Sequence, residues 1–420
     1  MKNYIPREME PVLRDMLKQF PAVAVTGPRQ VGKSTLLQHV LPDYPYITLD
    51  DPLARQQALD DPELLIDTAG KRMVIDEIQY APSLLPHLKM RIDRQREKKG
   101  RFVLTGSQQF ALMKNLGETL AGRIGLLELP PFSVSEADRA GRRRAVAALC
   151  RAAKAEAAAD TRRAFERACL RGSFPELITM PRLDAHRWYA SYVQTYLERD
   201  IRTVYDIGNL REFERFLQLL AARCSQTLNL STLAADVGVA VNTIKRWISI
   251  LEACRIVYLL PPYHSNLGKR IVKSPKIYFL DCGLVCYLTR LRDADHLLNG
   301  PLAGPLFENF CIQEAFKVML AKGVPPRLYY LRTKAGLEVD LLVEGANGAL
   351  HPFEFKLTRT PRREMGAAIA RFRSEFGKLN PAPGGLVTLS DQAVPLVRDT
   401  RLMPLGLFLS EVGRLSLVQK

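Results

Sequence analysis

Across residues 1–140, short apolar runs alternate with amphipathic stretches, the pattern of an α/β domain whose buried strands are spaced by helices. The runs at 22–26, 46–49, 73–75 and 102–105 read as strands, and Pro130 and Pro131 close a further apolar strand at 125–129. The stretch 139–163, with GRRR and AKAEAAAD, is Ala- and Arg-rich and reads as a basic helix or flexible connector. Residues 164–229 read as wholly helical. In LSTLAADVGVAVNTIKRWISILEACRIVYLL, Ser231 is placed to cap a first helix, Gly238 to make a turn, and Thr243 to Leu251 to form a second helix. Ile244, Trp247, Ile248 and Leu251 would face inward, and the apolar run after the helix would supply one side of a wing. Residues 266–420 form a last α/β region.

A chain of 420 residues is long enough for two or three domains, and 47% hydrophobic with 25% charged residues is ordinary for a globular protein. No run approaches the roughly 20 apolar residues that a membrane span needs. The N-terminus lacks an apolar core with a cleavage site, so the expected location is the cytoplasm. Seven scattered cysteines make no disulfide framework and are expected to be reduced, buried thiols. The net charge of +16 favours a polyanionic partner, nucleic acid or anionic lipid, and is equally consistent with plain solubility. On the second helix of 230–265, Lys245 and Arg246 face outward and are the candidate DNA contacts. The same geometry serves protein packing.

The strongest chemical signal is AVAVTGPRQVGKSTLL, which fits G-x-x-x-x-G-K-[ST] between a strand and a helix. The loop of Gly27, Pro28, Arg29, Gln30, Val31, Gly32, Lys33, Ser34 and Thr35 would wrap nucleotide phosphates with the backbone N–H groups of its non-proline residues, at a helix N-terminus. Lys33 would reach the β- and γ-phosphates and Ser34 would ligate Mg²⁺. MVIDEIQ ends a second strand in Asp76, which would hold the Mg²⁺, and Glu77, which would activate the attacking water. FVLTGS offers Thr105 and Ser107 as γ-phosphate sensors. Arg123 in LAGR is either a transition-state arginine or an ordinary surface arginine. ATP and Mg²⁺ are the implied ligands.

In this order GPRQVGKST, YITLDDP, VIDEIQ, LTGSQQ and LAGR resemble a prokaryotic AAA-type P-loop ATPase family with a C-terminal domain of unknown function and nuclease-like fold. The resemblance runs on through IYFLDCGLVCYL, LFENF and GLEVDLLVE to FEFK. It implies a parallel-sheet ATPase domain at 1–138, a basic linker at 139–163, a helical region at 164–229, a winged helix-turn-helix-like region at 230–265 and a nuclease-like domain at 266–420. Sites of this type often take an arginine from a neighbouring subunit, so a homo-oligomer is a possible partner arrangement.

In GLEVDLLVEGANGALHPFEFKL two alternating strands flank a turn. Glu354 and Lys356 share one face, and Phe353, Phe355 and Leu357 the other. A three-residue loop centred on Asn347 sets Asp340 opposite Glu354, where a divalent cation would relieve their repulsion. A two-residue Asn-Gly turn sets Asp340 opposite Phe355 and splits the site, and both registers remain open. The pattern resembles the PD-(D/E)xK nuclease core, although Val339-Asp340 stands in place of Pro-Asp. That resemblance assigns Glu308, Asp340 and Glu354 as metal ligands and Lys356 as a catalytic residue. The alternatives are a solvated strand face, or a nuclease fold kept as a binding platform in a nucleotide switch that cuts nothing.

Overall fold

Apolar runs without polar alternation belong to strands covered on both faces, and residues before 132 supply them. β1 (Ala22–Thr26), β3 (Met73–Asp76) and β4 (Phe102–Gly106) are buried at every position. With β2 (Tyr46–Thr48) and β5 (Ile124–Glu128) they form an all-parallel sheet in the order β2-β3-β4-β1-β5. The expected strands are present, with ends shifted by at most one residue. The helices are α1 (Glu10–Gln19), α2 (Lys33–Val40), α3 (Pro52–Asp60), α4 (Pro62–Ala69) and α5 (Leu84–Arg94). Asp51 and Asp61 cap α3 and α4 just before a proline, as helix starts prefer. One apolar core includes Ala24, Ile75, Leu88 and Leu104.

The computed structural model describes residues 4–106, 119–141, 157–195, 209–263, 273–390 and 392–417. Two compact units result: Met1–Pro131 with Ala253–Arg255, and Phe132–Glu252 with Ile256–Lys420. No helix among the described residues is long and apolar enough to cross a membrane.

The second unit opens with α6 (Val134–Gly141), α7 (Ala157–Leu170), α8 (Pro175–Thr179), α9 (Ala185–Tyr192) and α10 (Leu210–Ala221). Residues 142–156 and 196–208, parts of the expected connector and helical region, lie outside the described residues. Next come α11 (Leu230–Val237) and α12 (Val241–Ala253), joined through Gly238 at φ +88°. Asn229, not Ser231, caps α11, its side chain accepting from Thr232 N at 3.1 Å. Ser231 already lies inside the first turn. Ile244, Trp247, Ile248 and Leu251 of α12 are buried as expected, and Trp247 packs on Phe213 and Phe216 of α10.

β6 (Val257–Leu260) pairs antiparallel with β7 (Lys276–Phe279). After α13 (Cys282–Leu288), α14 (Ala294–Asn299) and α15 (Ala303–Ala321) comes the meander β8 (Leu328–Arg332), β9 (Glu338–Glu344) and β10 (Leu350–Phe355). α16 (Ala367–Glu375) leads to β11 (Gly384–Val387), which runs parallel to β10, and β12 (Val394–Val397), β13 (Thr400–Met403) and α17 (Leu405–Leu415) finish the unit. The sheet is mixed, in the order β12-β13-β11-β10-β9-β8. α15 is buried along most of its length, polar residues included. Lys317 donates to Glu314 (2.8 Å), Phe132 O (3.0 Å) and Ser173 Oγ (3.2 Å), while Val134 N donates to Glu314 (2.7 Å). The six described cysteines are buried and outside any disulfide.

Candidate functional site

The loop between β1 and α2 is shaped by what its backbone tolerates. Gly27 has φ +142°, and a Cβ there would lie 2.2 Å from Leu129 O, so only glycine fits. Leu129 N in turn donates to Thr26 O at 2.8 Å. Gln30 adopts φ +62° at the loop's exposed turn, and Gly32 at φ +87° precedes α2 without a side-chain cap. That helix end is therefore open to an anion. Arg7 braces the loop, donating to Val31 O (2.9 Å) and Pro130 O (2.6 Å).

Lys33 is buried, its ammonium held by Gly27 O (3.0 Å) and Pro28 O (2.9 Å). Burial pushes it down to about 8, against the pull of Glu77 and Asp76. Ser34 Oγ donates to Asp76 at 2.8 Å, and Thr105 and Tyr46 donate to the same carboxylate. Glu77 follows at φ +58°, with Gln79 donating to it. Lys33, Ser34, Asp76 and Thr105 thus converge at the C-terminal ends of parallel strands, where such sheets bind ligands. The buried lysine, the uncapped helix and the Ser34–Asp76 pair fit a phosphate with a divalent cation. Arg29 and Val31 shape the loop, Thr35 is exposed on α2, and Ser107 lies outside the described residues.

Arg123 is not brought to this site. Ala22 pairs with Ile124, so Arg123 sits at the opposite end of the sheet, roughly 13 Å of strand from the loop. Its guanidinium binds Asp93 through two contacts, 2.6 and 3.0 Å.

In the second unit the hairpin takes the three-residue loop. Glu344 pairs with Leu350 and Leu341 with Phe353, a register that carries Asp340 to Glu354. Gly348 at φ +75° and the Asn347 side chain, accepting from Ala349 N at 3.0 Å, set the turn. Asp340 N donates to Glu354 (3.3 Å), and Phe355 N to Asp340 (3.1 Å). Phe353 and Phe355 pack on Phe408 from the other face. Lys356 reaches Glu354 at 2.9 Å and Asp340 at 3.5 Å. Glu308, from α15, joins them.

Three further residues enter that sequence reasoning missed: Lys276 and Tyr278 of β7 and Glu338 of β9. Lys276 lies 2.8 Å from Glu338, 3.0 Å from Glu308 and 3.9 Å from Asp340, and Tyr278 donates to Glu308 at 2.5 Å. Strand alternation already puts 276 with 278, and 338 with 340, on common faces, but not against each other. Burial first, then Asp340, pushes Glu308 up to about 7 and Glu354 up to about 8. No group of three or more His, Cys, Asp or Glu among the described residues is arranged to hold a metal. The expected ligand set is assembled, yet two ammonium groups stand among its oxygens, so this arrangement does not fit a metal ion.

On α12, Lys245 and Arg246 are both exposed. Residues 19–137 match the AAA domain family, 162–295 the Domain of unknown function (DUF8612) and 303–408 the Domain of unknown function (DUF4143). Uncharacterized protein Rv2008c of Mycobacterium tuberculosis is 32% identical over 362 residues, 85% of this chain and 75% of that protein. Uncharacterized protein Mb2031c of Mycobacterium bovis matches to the same extent. Among solved structures, the Walker-type ATPase PABY2304 of Pyrococcus abyssi is 16% identical, with a TM-score of 0.45 over 69% of this chain and 97% of that one. The phosphate loop and its acidic partner lie within the AAA match, and the chain is an AAA-type ATPase that belongs to one family with the mycobacterial protein Rv2008c.

Proposed function

We propose that this ATPase couples ATP turnover to engagement of DNA. The observation that carries the ATPase half is the convergence of Lys33, Ser34, Asp76 and Thr105 on one loop. Lys33 would hold the β- and γ-phosphates, its ammonium exchanging the carbonyls of Gly27 and Pro28 for phosphate oxygens. Ser34 and Asp76 would hold Mg²⁺, which when bound neutralises phosphate charge. Glu77 would orient the attacking water and Thr105 would register the γ-phosphate. Loss of ATP turnover in Lys33→Ala with the fold retained is the expected result. Retained turnover refutes the site.

The DNA half rests on the +16 charge and on Lys245 and Arg246 facing outward from the second helix of a helix-turn-helix, followed by β6 as one side of its wing. In this reading 1–138 is the ATPase, 230–265 the DNA-facing module and 266–420 a nuclease-like region, joined by 139–163 and 164–229. The nuclease-like reading is supported by the order helix α15, antiparallel β8-β9-β10, helix α16 and β11 parallel to β10, with acids on β9 and β10. DNA affinity should fall steeply with salt and weaken in Lys245→Glu/Arg246→Glu. Unchanged binding in that variant removes the module from the reading. A second reading, a nucleotide switch that cuts nothing, is favoured by the lysines inside the acidic cluster. Cleavage of linear DNA with Mg²⁺ or Mn²⁺, lost in Asp340→Ala, decides against it.

A further inference from the structure

Lys276 opens β7 with its side chain 4% exposed, a costly place for an ammonium group. Three carboxylates meet it there, Glu338 at 2.8 Å, Glu308 at 3.0 Å and Asp340 at 3.9 Å. Its Nζ also sits 5.6 Å over the Tyr330 ring. On the other side of Asp340, Lys356 bonds Glu354. Four carboxylates from α15, β9 and β10 are thus bridged by two lysines.

A divalent cation needs carboxylate oxygens to converge at roughly 2.0–2.6 Å from one point. An ammonium spaces the same oxygens at hydrogen-bond distance, and Glu308 Oε1 already accepts from both Lys276 (3.0 Å) and Tyr278 (2.5 Å). We propose that Lys276 is a positioning residue that stands in for the metal: a cation built into β7 that holds Glu308, Glu338 and Asp340 together and keeps a divalent ion out. This rests on the nuclease-like reading of the region, and it assigns that region a platform role with its cation supplied by the chain. The nearest sequence signal, Lys276 and Tyr278 on one strand face, lies 32 and 30 residues from Glu308.

The test uses the full chain without nucleotide, titrated with MnCl₂ while the EPR signal of free Mn²⁺ is followed. Wild type is compared with Asp340→Asn, Lys276→Met and the double variant. Wild type should bind no more Mn²⁺ than Asp340→Asn, whereas Lys276→Met should bind about one further equivalent that the double variant loses. Uptake by wild type that Asp340→Asn abolishes overturns the proposal and leaves a metal-dependent site standing. No Asp340-dependent uptake in wild type or in Lys276→Met overturns it together with the reading of these acids as a metal-type cluster. Should Lys276→Met fail to fold, Lys276→Gln/Glu308→Gln, which removes one charge of each sign, takes its place. The comparison of wild type with Asp340→Asn needs no variant at Lys276.

Discussion

Replacing Lys33 by Met separates the stability of the loop from its chemistry. A buried, paired charge normally costs about 3–5 kcal/mol to break. Lys33 is different, because burial brings it down to about 8 from 10.5, and at about 1.36 kcal/mol per unit the charged form carries a penalty near 3 kcal/mol. The Met variant escapes that penalty and loses the bonds to Gly27 O and Pro28 O, together of about the same size. Nucleotide-free Lys33→Met should therefore unfold in urea at pH 7 within about 1 kcal/mol of wild type, while its ATP turnover is gone. The pH dependence has a definite sign. Between about 8 and 10.5 the unfolded chain keeps a proton that native Lys33 has shed, so wild-type stability rises with pH across that window. Subtracting the Lys33→Met profile, which shares every other titration, should leave this rise by itself. A loss above about 3 kcal/mol at pH 7, or a flat difference profile, would refute the argument that the loop holds its lysine at a cost.

Gly27→Ala should lose at least about 2 kcal/mol and with it ATP binding, because the new methyl meets Leu129 O at 2.2 Å; Gly238→Ala, in the left-handed region but with nothing within 4 Å, should lose only about 1 kcal/mol. Lys317→Met leaves Glu314 buried without its ammonium and should cost about 3–5 kcal/mol in urea, partly restored in Glu314→Gln/Lys317→Met. Tyr46→Phe removes a donor to Asp76 and should shift the Mg²⁺ dependence of ATP turnover several-fold, with stability changed by no more than about 1 kcal/mol. An unchanged Mg²⁺ profile would separate Tyr46 from the site.

The phosphate loop is legible in the chain because its parts are contiguous. Gly27, Gly32, Lys33 and Ser34 sit on one strand–loop–helix, and Asp76 ends the next buried strand, so local pattern implies the spatial site. Arg7 is not legible, since its bond to Pro130 O spans 123 residues. Tyr46 carries no signal either, because an aromatic residue opening a strand looks like core. Arg123 shows the converse case. Its motif lies in the expected order along the chain, but parallel pairing of β5 with β1 sends it to the end of the sheet opposite the phosphate loop of the same chain.

By itself, then, the sequence determined the elements, the ATPase class and the faces of α12 and β10, all set by periodicity and short-range backbone needs. Tertiary structure decided the hairpin register, the source of the brace on the phosphate loop and the charge balance of the acidic cluster. Strand alternation places Glu354 and Lys356 on one face in either register, and only the packed turn at Asn347 and Gly348 decides that a carboxylate, Asp340, lies opposite Glu354. Likewise, Lys276 enters the cluster through tertiary packing and burial, since β7 pairs with β6 and not with the sheet that carries Asp340, and such packing joins residues whose distance along the chain carries no information about their distance in space.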